Sequence, residues 1–212
     1  MYSITTIIIA ITALVTFAGL SNLEFFERFK FSISKIQAGE QYRMITSGFL
    51  HADWFHFAFN MFSFYSFATF LTQEFSTINF LVIYFGSMLI GSVLTYYIHK
   101  NEPYYSAIGA SGAVTGIIYC AILLYPEIEL RMFFAIPIPG YIFAFLYLGY
   151  SIYGMKGQND NIGHTAHLGG AIGGLLITLL LMPSLFETRL LFIGILLIPI
   201  AVLIYLVKMK KI

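Results

Sequence analysis

The chain has 212 residues, 59% hydrophobic and 18% aromatic but only 10% charged, with 11 Lys+Arg against 10 Asp+Glu and a formal net charge of +1. A soluble domain is about half apolar and a quarter charged, so this chain lacks the charge to coat a water-facing surface and reads as an integral membrane protein. The small net charge excludes nucleic acid as a partner, and the single cysteine, Cys120, excludes an internal disulfide and a multi-cysteine metal cage.

Apolar segments occupy residues 4–20, 54–71, 77–97, 109–125, 139–155, 163–182 and 190–207. Each is near the roughly 20 residues that cross a bilayer core. None contains Asp, Glu, Lys or Arg, as a cost of about 2.5–3.5 kcal/mol per mid-membrane charge requires. Backbone groups in lipid must be bonded within their own segment, so the expectation is seven helical spans, an all-α polytopic bundle. The first segment lacks the basic lead-in of a secretory signal and six others follow it, so it is expected to be retained. The long connection, residues 21–53, sets Leu23, Phe25, Phe26, Phe29 and Phe31 among Glu24, Glu27, Arg28 and Lys30, a mixture suited to the membrane interface.

Polar residues inside such a bundle are costly unless they meet a partner or a water-filled cavity. The second segment and its approach carry His51, His56 and Asn60, the fourth opens on Gly109, Ala110, Ser111 and Gly112, and the sixth carries His164 and His167. In a chain that crosses at every segment, the even-numbered ones start from one side, so these residues share a leaflet. At 1.5 Å per residue Ser111, His56 and His167 are expected roughly 3–6 Å below their helix starts. His56 and Asn60, four apart, share a helix face. Small residues at Gly112 and Gly116, and at Ala166, Gly170 and Gly174, allow backbones to approach closely. The chemistry this permits is nucleophilic catalysis, with Ser111 attacking and a histidine taking its proton. The Ser111 amide at a helix N-terminus, with His56 and Asn60, could then face a developing oxyanion.

Taken in order, Gln41-Tyr42-Arg43, Thr46 through His51, His56, Asn60, Gly109-Ala110-Ser111-Gly112, and Ala166-His167-Leu168-Gly169-Gly170 with Gly174 resemble the rhomboid intramembrane serine proteases. The resemblance spans nearly the whole core. It implies a Ser–His dyad of Ser111 and His167 without an acidic third member, an oxyanion hole of His56, Asn60 and the Ser111 amide, and no cofactor or metal. It further implies transmembrane protein substrates cut in or near their membrane segments, with the fifth segment gating entry from the lipid bilayer. On this basis residues 1–182 are expected to form a six-helix catalytic core with an interfacial loop at 21–53, and residues 190–207 an extra C-terminal transmembrane helix. Arg43 and His51 are expected to hold that loop, and Gly109, Gly112, Gly170 and Gly174 to support the site. Two positions depart from the family pattern: Tyr42 stands where tryptophan is common, and Thr115 where some members place an aromatic that stacks on the histidine.

The resemblance implies a multi-pass protein, expected in a bacterial plasma (inner) membrane, with its site facing the extracytoplasmic side. Arg28, Lys30, Lys35, Arg43, Lys100, Lys156, Lys208, Lys210 and Lys211 would then lie outside against Arg131 and Arg189 inside, contrary to the positive-inside tendency. Two other readings stand beside the protease. One is a transporter or metal site in which His51, His56, His164 and His167 converge, and the other a relative that binds membrane clients without cutting them. A histidine base must be neutral, so activity is expected to fall as pH drops below about 6.5.

Overall fold

A computed structural model of the chain describes residues 3–132, 136–157 and 163–209. Helix α1 (Ile4–Ser21) starts at Ser3, whose hydroxyl accepts from the Thr6 amide at 3.3 Å. Asn22 ends α1 and caps α2 (Leu23–Phe29) by accepting from the Phe25 amide at 3.0 Å. The chain then forms β1 (Phe31–Ser32), α3 (Ile33–Gln37), α4 (Arg43–Thr46) and a 3-10 turn over Ser47–Phe49. Next comes α5 (Trp54–Glu74), capped by Asp53, whose carboxylate accepts from the His56 amide at 2.7 Å. Helix α6 (Thr77–His99), β2 (Ser106–Ala107) and α7 (Ser111–Leu124) follow, then the hairpin β3 (Glu129–Met132) and β4 (Ile136–Pro139). Helices α8 (Gly140–Gly157), α9 (His164–Leu181), α10 (Leu185–Thr188) and α11 (Leu190–Lys208) complete it.

The structure is a mostly helical membrane protein in which α1, α6 and α9 are long and apolar enough to cross a bilayer. The stretches Ser111–Leu124, Gly140–Gly149 and Leu190–Leu206 are shorter apolar helices. The expected segments match helices closely, with one instructive shift: α7 begins at Ser111 and not at Gly109. Gly109 adopts φ of 116°, a left-handed conformation open to glycine that keeps the helix from starting earlier. Ser111 therefore opens its helix and does not lie two residues below its start.

Every residue of α7 is buried, and α5, α6, α8 and α9 surround it. Its seam with α9, and that of α9 with α6, are made by glycines. A methyl carbon on Gly170 would run into the Gly112 carbonyl, and one on Gly174 into the Gly116 carbonyl. One on Gly169 would sit 2.6 Å from Gly91 Cα, and one on Gly91 2.8 Å from the Ala166 carbonyl oxygen. Backbone thus touches backbone along three helices, the contact that small residues make possible in lipid, where no hydrophobic force joins helices.

Residues 21–53 form a docked cap. Phe31, Ile33 and Ile36 make a small apolar cluster with Met44, Tyr96, Tyr105 and Ala107. β1 pairs antiparallel with β2, Phe31 facing Ala107 and Ser32 facing Ser106. Arg43, 4% exposed, meets the Glu40 carboxylate and donates to the Glu27 and Lys30 carbonyls at 2.8 and 2.9 Å. The hydrogen bonds from Arg43 and then Tyr42 hold the Glu40 carboxyl below its ordinary value. Ser92 of α6 donates to the Met44 carbonyl at 2.7 Å, and the Gln37 amide to the Lys100 carbonyl at 2.8 Å.

Candidate active site

Three helix starts converge under this cap. Ser111 is the first residue of α7 and 9% exposed, so its backbone N–H belongs to the group that a helix leaves without an internal partner. The macrodipole adds positive potential at the same point. Gly109 places the neighbours: a methyl carbon there would sit 3.0 and 3.1 Å from His56 Cε1 and Nε2, and 3.8 Å from Ser111 Oγ. The His56 ring and the Ser111 hydroxyl therefore flank one point, which only a residue without a side chain leaves open. The Gly109 amide donates to the Ser47 carbonyl at 3.0 Å, fastening this turn to the cap.

Asn60, one turn below His56 on α5, is 3% exposed and donates one amide proton to the His56 carbonyl at 3.1 Å. An amide has two such protons, so the second stays available for another acceptor. His51 lies behind His56, its ring edge-on to it at 4.9 Å between centroids. The His51 Nδ1 is 2.9 Å from the Thr16 hydroxyl, which also reaches the Phe49 carbonyl at 3.1 Å. Burial, with the charge of His56 adding to it, pushes the His51 ring down to about 3, so it is neutral at ordinary pH. Arg43 thus bonds to carbonyls within residues 21–53, and His51 to Thr16 of α1.

His167, 5% exposed, stands in the first turn of α9. His164, one turn earlier, meets it edge-on with centroids 5.8 Å apart. The two backbones of α7 and α9 meet at Gly112 and Gly170, one residue after Ser111 and three after His167. Sequence reasoning missed Tyr147 of α8, whose ring stacks on His167 with centroids 5.5 Å apart and planes 24° from parallel. A tyrosine in the middle of an apolar segment looks like any lipid-facing ring, and nothing in the linear pattern marks its partner. Thr115 donates to the Ser111 carbonyl at 2.7 Å and lies 3.3 Å from the Tyr147 hydroxyl.

Ser47, Ser92, Thr95, Gly109 and Ser111 are among the residues lining a cavity of about 30 Å³ beneath the cap. That is room enough for a water molecule, and the walls carry hydroxyls to bind it. The four histidines meet as two separate edge-on pairs, His51 with His56 and His164 with His167. Among the described residues no three His, Cys, Asp or Glu side chains gather as they would to hold a metal ion.

A family model, the Rhomboid domain, matches residues 38–184. The chain is also similar to the RHOMBOID-like protein 12, mitochondrial, of Arabidopsis thaliana, 30% identical over 159 residues that cover 68% of this chain. It spans about half of that relative, 47% of its length.

Proposed function

Because the chain belongs to the rhomboid family, we propose that it is an intramembrane serine endopeptidase that hydrolyses transmembrane protein substrates with a Ser111–His167 dyad. The observation that supports this best is the seating of Ser111. It opens a buried helix, flanks the His56 ring across Gly109, and rides on a backbone that meets the helix of His167 at Gly112 and Gly170.

On this reading the Ser111 oxygen attacks the substrate carbonyl while His167 takes the hydroxyl proton, then returns it to the departing amine as the peptide bond breaks. The negative oxygen formed in between is met by the Ser111 amide, His56 and the second amide proton of Asn60, each such donor worth about 2.7–4 kcal/mol of barrier. Water from the hydroxyl-lined cavity then attacks the acyl-serine, with His167 again taking a proton. Neutral His51 supports the edge of His56 without charging the site. Residues 1–182 are the catalytic core in this reading and α11 an added span, giving seven crossings in all. The protein would reside in a bacterial plasma membrane with the site opening extracytoplasmically. The mitochondrial label belongs to the Arabidopsis relative.

The test is cleavage of a generic single-pass membrane substrate by purified protein in detergent, beside Ser111→Ala and His167→Ala. Cleavage by the parent alone, with both variants folded, is the expected result. Equal cleavage by all three would sink the dyad, and cleavage by none would leave a non-cleaving client binder as the better account.

A further inference from the structure

We propose that Tyr147 is a positioning residue for His167, holding the imidazole in its working plane from the side of α8. The inference rests on the Ser111–His167 reading and adds to it a ring that comes from a third helix.

The Tyr147 ring is fixed at both ends. Its face lies on His167, centroids 5.5 Å apart and planes 24° from parallel. Its hydroxyl is 3.3 Å from Thr115 Oγ1, and the one proton of Thr115 already goes to the Ser111 carbonyl at 2.7 Å. A threonine with its proton committed can only accept, so Tyr147 donates. The same phenol thereby ties into the first turn of the serine's helix and covers the histidine's ring.

The column continues away from the site. Phe143, one turn earlier on α8, stacks on Tyr147 with centroids 5.8 Å apart, and on Phe67 of α5 at 6.2 Å. Rings thus run from α5 through α8 to His167. The second torsion of a histidine is broad and roughly two-fold, so the imidazole needs an outside surface to stay aimed. On the α7 side Thr115 is too short to provide one, and Tyr147 occupies that space. His164 stands at 80° to the ring, and Tyr147 lies nearly parallel to it. Because the ring belongs to α8, the aim of the base depends on α8 keeping its place.

The test measures labelling of Ser111 by a fluorophosphonate, together with kcat and KM for a single-pass substrate. The proteins are the parent, Ser111→Ala, Tyr147→Phe, Tyr147→Leu, and Tyr147→Leu combined with Thr115→Tyr. Tyr147→Phe keeps the ring and loses one hydrogen bond, so it stays within about tenfold of the parent. Tyr147→Leu keeps bulk and loses the ring. It is expected to lower kcat and labelling by about a hundredfold, as an ångström of misplacement does, with KM unchanged. Thr115→Tyr supplies a ring from α7 into the vacated space and recovers most of the loss. An unchanged rate in Tyr147→Leu overturns the inference, and so does a loss confined to KM or one that Thr115→Tyr fails to recover. If thermal unfolding shows Tyr147→Leu to be damaged, recovery in the double variant decides. A parent that neither labels nor cleaves overturns the dyad reading itself. A labelled parent beside an indifferent Leu variant overturns the positioning role alone.

Discussion

Helices α8 and α9 both flank α7, and they are held to the site by opposite means. α9 meets α7 backbone to backbone, with Gly170 and Gly174 against the carbonyls of Gly112 and Gly116. α8 meets its neighbours through rings, Phe143 on Phe67 and Tyr147 on His167, while its Gly149 faces open space. A backbone contact admits no added atom and fixes one spacing, whereas a ring pair, worth about 0.5–1.5 kcal/mol beyond its buried area, holds its partner with more room to give. Ser111 and His167, the residues proposed as nucleophile and base, therefore share the tighter seam, and α8 packs on the looser one.

The largest effect that would sharpen this comparison is expected at the residues proposed for the oxyanion hole. His56→Ala and Asn60→Ala are expected to lower kcat by about 10²–10³ while leaving substrate affinity and melting temperature nearly unchanged. Steady-state cleavage with a parallel melt checks it, and a loss seen only in the melt would return both residues to a structural role. Next is Gly170→Ala, which forces a carbon into the Gly112 carbonyl and should cost about 1–3 kcal/mol of stability. Denaturant unfolding in detergent reads this directly, and an undisturbed midpoint would mean that the seam is looser than the glycines indicate.

A third prediction concerns acid. His51 is held near 3 when folded, against about 6.5 when unfolded. Between those values the unfolded chain binds the extra proton, so the stability is fully present above about pH 6.5 and is lost progressively as pH falls toward 3. Melting temperature followed from pH 7.5 to 5 should decline, and less steeply in His51→Asn. Equal slopes would show that His51 carries none of the effect. The smallest change is expected on the ring-packed side. Gly149→Ala meets nothing within 4 Å and should stabilise α8 by up to about 1 kcal/mol. A destabilised variant would show that α8 is packed as closely as α9.

The helices were legible because apolar runs free of charge have one physical solution in lipid. The candidate site was legible for the converse reason: Ser111, His56, Asn60 and His167 are polar groups where polarity is expensive. The sequence did not reveal three features, each for a local reason. The hairpin of β3 and β4 contains Pro137 and Pro139, and prolines argue against a strand. The start of α7 depends on the dihedral angle of Gly109, which composition does not encode. The stack on His167 joins residues 20 positions apart, and apolar patterning says nothing of which helices become neighbours. The departure at Thr115 was visible in the sequence, but the ring of Tyr147 on His167 was not.

The length of α7 has a consequence of its own. Its 14 residues rise about 21 Å, well short of a hydrocarbon core of about 30 Å. A helix that short in contact with lipid would force the bilayer to thin around it or to tilt its neighbours. Every residue of α7 is buried, so lipid never meets the mismatch, and the missing length is filled by protein, with the docked cap above Ser111. Membrane thickness thus acts on the outer helices, while the surroundings of Ser111 are set by the chain itself.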